Sequence, residues 1–192
     1  MTGEVLTMGR EYPDAPVIAV AAVVLRKEQE FGDGLGAPCS VLLIRRAQPP
    51  SMGEWSLPGG VLELGETLRD GVVREIREET GLLVEPVALL EAVDCIVRDN
   101  PSGAVESAAR HVTKDSMDVR VRFHYVLIEF VCRVQSGVLA VASDALEARW
   151  LSRLEFERRD IENGMGFALS GDTVKVIAKA LRLVDDGLEV RS

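Results

Sequence analysis

Residues Gly60 to Leu82 read GVLELGETLRDGVVREIREETGL, and inside that stretch Arg74-Glu75-Ile76-Arg77-Glu78-Glu79 crowds three carboxylates onto one turn and a half of helix. Residues three and four apart share a helix face, and like charges so placed destabilise a helix. Something positive must sit among them, and a hard divalent cation, which takes oxygen ligands, is the natural candidate. At about 100° per residue, Leu68, Val72, Val73, Ile76 and Thr80 form an arc that should face the core. Glu75, Glu78 and Glu79 form the adjacent arc, with Gly71 inside it. A mid-helix glycine costs roughly 1 kcal/mol relative to alanine. Gly71 is therefore kept either because a side chain would crowd what the carboxylates hold, or because the helix packs closely there. Thr67 is a suitable N-cap and Gly81 a suitable C-terminal residue.

Upstream, Val17 to Leu25 (VIAVAAVVL) is a short β-branched apolar run that reads as a buried strand. Ser40 to Ile44 reads as its hairpin partner across a glycine-rich turn, and Arg45 to Pro58 as loop. Downstream, Leu82 to Val97 reads as one strand, or two broken near Pro86. Asp99 to Asp118 is polar and reads as a long loop. Arg120 to Val134 (RVRFHYVLIEFVCRV) is a long strand and Ala148 to Leu151 a short one. Ser152 to Glu155 has capping-box spacing, and Asp172 to Val184 is an amphipathic helix. Strands, helix, strands and helix in that order suggest an α/β fold, a mixed sheet with helices on its faces.

The bulk properties narrow the classes of function. A chain of 192 residues suits one well-buried domain. Its net charge of −9 disfavours general affinity for nucleic acid or anionic membrane. The 3 cysteines, Cys39, Cys95 and Cys132, fit no metal-ligand spacing, and Cys95 and Cys132 read as buried free thiols. The first residues lack the basic start and apolar run of a signal peptide, and no apolar stretch approaches the ~18 residues of a membrane span. A cytoplasmic protein is the expectation, with residues 1–14 a flexible lead and 15–188 one domain.

Gly60, Glu66, Arg74-Glu75-Ile76, Glu78-Glu79 and Gly81-Leu82 fill every specified position of the Nudix signature, so the chain resembles the Nudix hydrolases. Arg46 to Gly59, containing Gly53, Trp55, Leu57 and Pro58, is similar to the segment that precedes this box in bacterial ADP-ribose pyrophosphatase-like members. The strand HYVLIEF is similar to that group as well. The resemblance implies an α/β/α sandwich and Mg²⁺- or Mn²⁺-dependent hydrolysis of a nucleoside diphosphate derivative. Carried over by position, Glu75, Glu78 and Glu79 with the Gly59 carbonyl are the implied metal ligands, and Glu66 supports them. Arg74 resembles the residue that orients a catalytic glutamate, and a homodimer is the implied assembly. Glu66 also suits a helix N-terminus for its charge alone. Trp55 either fixes the loop by packing or stacks on a base. Arg45 and Arg46 either meet phosphate or lie solvated. For the general base, Asp144 and Glu147 are the candidates by position, acids otherwise being surface residues. His124 reads as structural, and His111 falls in the long loop.

Two departures bear on substrate. The connection from about Pro101 to Met117 is longer than in the group resembled. The Ser-Gln-Pro-Trp-Pro run of NADH-cleaving members is absent, and the proline that marks many ADP-ribose enzymes has only a displaced counterpart in Pro101. The expected reaction is ADP-ribose to AMP and ribose 5-phosphate. The alternatives are a nucleoside triphosphate pyrophosphohydrolase and a nucleotide-sugar sensor that does not cleave its ligand; the latter is disfavoured because the box is intact.

Overall fold

The computed structural model describes residues 11–28, 39–48, 51–99, 119–141, 145–162 and 169–188. Residues 1–10, nearly all of the expected 99–118 loop with Pro101 and His111, and Asp144 lie outside them. In chain order the elements are β1 (Val17–Lys27), β2 (Cys39–Arg46), β3 (Trp55–Ser56), β4 (Gly59–Val61), α1 (Leu68–Thr80), β5 (Leu82–Arg98), β6 (Val121–Gly137), β7 (Ala145–Ser152), α2 (Arg153–Glu162) and α3 (Gly171–Asp185).

The apolar run of β1 takes the centre of the sheet because it has no polar face to leave in water. It pairs in parallel with β6 from Val17 to Leu25. On its other edge it pairs antiparallel with β4 at Ala19–Ala21 and with β2 at Leu25–Lys27. The strand order β3-β2-β1-β6-β5, with β7 on β2, makes a mixed sheet. Side chains alternate along each strand, so Val20, Ala22 and Val24 face one layer and Ala21, Val23 and Leu25 the other. The first layer is closed by Val72 and Ile76 of α1. The second is closed by Val176, Ile177, Ala180, Leu181 and Val184 of α3. Each such buried side chain contributes roughly 1.5–3 kcal/mol of transfer free energy. This is the expected helix–sheet–helix layering.

Several elements run longer than their sequence pattern. β2 reaches Arg46, and β3 forms inside the stretch read as loop, because Trp55 and Ser56 pair with Arg45 and Ile44. β5 is a single strand, its break near Pro86 being a register shift between Pro86 and Ala88. A proline has no N–H to give the ladder, and a bulge accommodates it. Ser152 and Glu155 do form the capping box: Glu155 N donates to Ser152 Oγ at 3.2 Å and Ser152 N to Glu155 Oε2 at 2.8 Å. All three cysteines are free; Cys39 and Cys132 are buried and Cys95 half-buried. No helix among the described residues is long and apolar enough to cross a membrane.

Candidate functional site

α1 begins and ends where its sequence signals stand. Asp70 N donates to Thr67 Oγ1 at 3.1 Å, and Gly81 at φ 70° donates its N–H to Arg77 O at 2.9 Å. A left-handed φ is open to glycine without a Cβ penalty. The buried face is turned relative to the expected arc. It comprises Gly71, Val72, Ile76, Glu79 and Thr80, whereas Leu68 is exposed and Val73 only half-buried. The preceding loop causes this. It lies over Gly71, where a Cβ would stand 2.7 Å from Leu62 Cδ1 and 3.0 Å from Glu66 Oε2. Gly71 is thus a close-packing glycine; it faces Leu62 and Glu66.

Arg74 is the hub of the site. Its Nε donates to Glu66 Oε1 at 2.8 Å and its Nη2 to Glu66 Oε2 at 3.0 Å, a bidentate pair. Nη1 donates to Glu75 Oε1 at 2.9 Å and to Glu78 Oε2 at 3.1 Å, and Nη2 also reaches Val61 O at 3.1 Å. One planar guanidinium with five donors so ties the loop, β4 and two turns of α1 together. Its hydrogen bonds to Glu66 and then Glu75 push the guanidinium above its already high range. The same pairing holds the Glu66 carboxyl below the usual range, helped by the backbone N–H of Glu63.

The three glutamates of α1 therefore do not meet at one point. Glu75 and Glu78 lean to Arg74, and Glu78 keeps 60% of its side chain in solvent. Glu79 is buried and takes the Gly59 N–H on Oε2 at 2.8 Å. Among the described residues no group of three His, Cys, Asp or Glu side chains is placed to hold a metal ion. The positive partner that the sequence demanded is, in this arrangement, Arg74.

The two glycines at the start of the box let the backbone approach closely, Gly59 to β1 and Gly60 to the Glu75 carboxylate. Gly59, at φ 153°, runs so close to β1 that a Cβ would stand 2.6 Å from Ala21 Cα. A Cβ on Gly60 would stand 2.5 Å from the carboxylate carbon of Glu75. That cradle and the chemistry of the set (three carboxylates, a backbone carbonyl, no sulfur or imidazole) suit a hard cation.

The other sequence-derived residues lie elsewhere. Trp55 is half-buried, opposite Arg45 in the ladder, bridges in parallel to Leu169, and packs against the α3-side core. The Arg46 backbone closes the hairpin to Trp55, its N–H on Glu54 O at 3.0 Å and its carbonyl on Gly53 N at 2.8 Å. Glu147 is exposed on β7 directly opposite Arg45 of β2, which also pairs with Trp55. His124 stands 3.8 Å from Asp94 Oδ1 on β5.

The sequence reading passed over Glu129. It lies on β6 within HYVLIEF, is 3% exposed, and its Oε2 has no hydrogen-bond partner. Burial, then the charge of Glu91, raises its carboxyl to about 7. A lone acid in an apolar strand was the available signal, but alternation alone placed it on a face without showing what covered it.

The family model for the NUDIX domain matches residues 15–166. The chain is 35% identical over 126 residues to an ADP-ribose pyrophosphatase of Methanocaldococcus jannaschii, covering 63% of this chain and 62% of that protein. It is 31% identical over 150 residues to a MutT-like protein of Streptomyces ambofaciens, covering 78% and 73% respectively. The alignment with the archaeal relative thus spans less than two thirds of that protein's length. Among solved structures, the NUDIX domain of Shewanella oneidensis NrtR, crystallised with ADP ribose, superposes with a TM-score of 0.57 at 19% identity, covering 89% of this chain and 90% of that one. That likeness shows the fold.

Proposed function

Because the chain belongs to the NUDIX domain family, we propose that it hydrolyses the pyrophosphate bond of a nucleoside diphosphate derivative, ADP-ribose in the first instance, to AMP and ribose 5-phosphate. The observation that carries this reading is the Arg74 hub, which fixes Glu66, Glu75 and Glu78 beside the Gly59–Glu79 hydrogen bond. The archaeal relative's name supports ADP-ribose as the substrate. The single domain is read as residues 15–188.

Glu75, Glu78, Glu79 and the Gly59 carbonyl would hold Mg²⁺ or Mn²⁺, with Glu66 in support through Arg74. When bound, such a cation offsets charge on the diphosphate and lowers the pKa of water to that of a usable nucleophile. The chain's own residues do the positioning. Arg74 keeps two glutamates on one side of the loop, and Glu79 accepts the Gly59 N–H, which anchors the start of the box against α1. Glu147 or Asp144 takes the proton of the attacking water as general base. Arg46 and Trp55 bind the nucleotide on the α3 side.

The test is incubation with Mg²⁺ and a panel of nucleoside diphosphate derivatives and nucleoside triphosphates, with products resolved by chromatography. ADP-ribose loss with equimolar AMP and ribose 5-phosphate is the expected result. Release of pyrophosphate from a triphosphate in its place would shift the assignment to a triphosphate pyrophosphohydrolase. Tight binding of a nucleotide sugar without products would shift it to a sensor.

A further inference from the structure

Across β4, β1, β6 and β5 the residues Gly59, Ala21, Glu129 and Glu91 stand side by side in register. Adjacent strands lie about 4.8 Å apart, so Glu129 is about 10 Å from Gly59. That is the reach from a nucleotide's phosphates to its base. Side-chain alternation puts Glu129 on the α3 face with Leu127 and Tyr125.

The two ends of that face differ. Toward Val23 and Val131 the sheet is closed by α3 and fully buried. Toward Leu127, Tyr125, Val93 and Cys95 the sheet surface is only half-buried. Trp55, bridged to Leu169, packs against this same layer. The Cys95 thiol, raised chiefly by burial, also feels Arg46, which lowers it, and Asp172, which raises it. Glu129 sits where the half-buried surface runs into the packed core.

Its surroundings explain its lack of a partner. Glu91, directly opposite, is another acid, and it is already taken by Lys179 of α3, whose Nζ stands 2.9 Å from Glu91 Oε2 and 3.0 Å from Leu90 O. Lys179 thus neutralises Glu91 and leaves Glu129 Oε2 unmatched. A buried polar atom without a partner is costly and calls for one that the fold does not itself supply.

We propose that Glu129 reads the nucleotide's base: at the closed end of the α3-side surface, its carboxyl exchanges hydrogen bonds with a nucleobase edge that carries an amino group. This rests on the pyrophosphohydrolase reading above, with the diphosphate at Gly59. A carboxyl whose proton is retained near neutrality offers one donor and one acceptor, the complement of an amino group beside a ring nitrogen, as on adenine.

The experiment compares ADP-ribose with its analogue carrying unsubstituted purine for adenine, in the wild type, Glu129→Met and Glu129→Gln. The wild type prefers adenine by about tenfold or more in kcat/KM, the scale of leaving one buried hydrogen-bonding group unsatisfied. Glu129→Met brings the ratio to about one, because it lowers kcat/KM for ADP-ribose by more than for the purine analogue, which has only the ring nitrogen to lose. Glu129→Gln, which keeps a donor and an acceptor, retains the preference. Met is close in volume and leaves no buried charge, so that variant folds; circular dichroism melts verify it. A core carboxyl without a binding role would leave the ratio unmoved in Glu129→Met, and that result, or a wild type without preference, overturns the proposal. Should no diphosphate be cleaved, the hydrolase reading fails, and calorimetric titration of AMP against purine riboside 5′-monophosphate decides the question without turnover. Loss of the AMP preference in Glu129→Met supports base reading, whereas equal affinities in the wild type, or no binding of either, refute it.

Discussion

On the α1 side of the sheet, Glu66, Glu75 and Glu78 all rest on Arg74 and Glu79 rests on the Gly59 N–H. On the α3 side, Glu129 keeps an oxygen with no partner at all. In the first group, Arg74 and the three glutamates on it lie at a partly solvated rim, where a guanidinium can hold carboxylates at modest cost. The second lies in the core, where the charged form is disfavoured outright. Their pH signs are opposite. Arg74 holds Glu66 below the usual carboxylate range, so that pairing stabilises fully above the range and is lost on acidification. Glu129 is raised, so the folded chain holds a proton that the unfolded chain gives up, and stability falls as pH rises between the two values. The contrast separates a cluster held in its charged form by one guanidinium from a carboxyl that burial makes retain its proton to higher pH.

The largest expected effect breaks the first group. Glu78→Gln keeps the shape but removes the charge, and steady-state turnover should fall by about a thousandfold or more, as on losing a group that acts as part of a unit. Near wild-type turnover would sink the assignment of α1. Next comes the second group. The Glu129 carboxyl moves from an ordinary 4.5 to about 7 on folding. At 1.36 kcal/mol per unit, urea unfolding should therefore show the wild type losing up to about 3 kcal/mol relative to Glu129→Gln between pH 4.5 and pH 7, and no more above it. Parallel pH profiles for the two proteins would show that Glu129 is not held neutral.

Arg74→Lys sharpens the first group further. A point charge cannot serve Glu66 bidentately and Glu75, Glu78 and Val61 together. kcat/KM should drop by about a hundredfold while the melting transition stays cooperative. An unchanged kcat/KM would reduce Arg74 to a surface ion pair. The smallest effect is local: Thr67→Ala removes the cap on Asp70 N and should cost about 1 kcal/mol in denaturant unfolding.

The legible parts of this molecule were those set by local rules. Thr67 and Gly81 bounded α1, Ser152 and Glu155 marked the start of α2, and β-branched runs gave β1 and β6, because caps and side-chain periods act over a few residues. The parallel pairing of β1 with β6 was not legible, since it joins segments a hundred residues apart and depends on global topology. The same holds for Gly71. The helical wheel put it among the glutamates, but only the folded loop shows Leu62 and Glu66 above it. The charges of Glu75, Glu78 and Glu79 called for a positive partner, yet the wheel could not show that Arg74, from the same helix, would claim two of them. Glu129 lay in plain view within an apolar strand, but its isolation required Lys179 to have already taken Glu91.

The central claim is that Gly59 and the glutamates of α1 form a divalent-cation centre for cleaving a nucleoside diphosphate. Hydrolysis of ADP-ribose by the wild type should therefore be followed before chelation, after exhaustive chelation, and after readdition of Mg²⁺ or Mn²⁺. Turnover should vanish with the chelator and return with either ion. Turnover indifferent to the chelator, or none with either ion for ADP-ribose or any other nucleoside diphosphate derivative, would contradict the account.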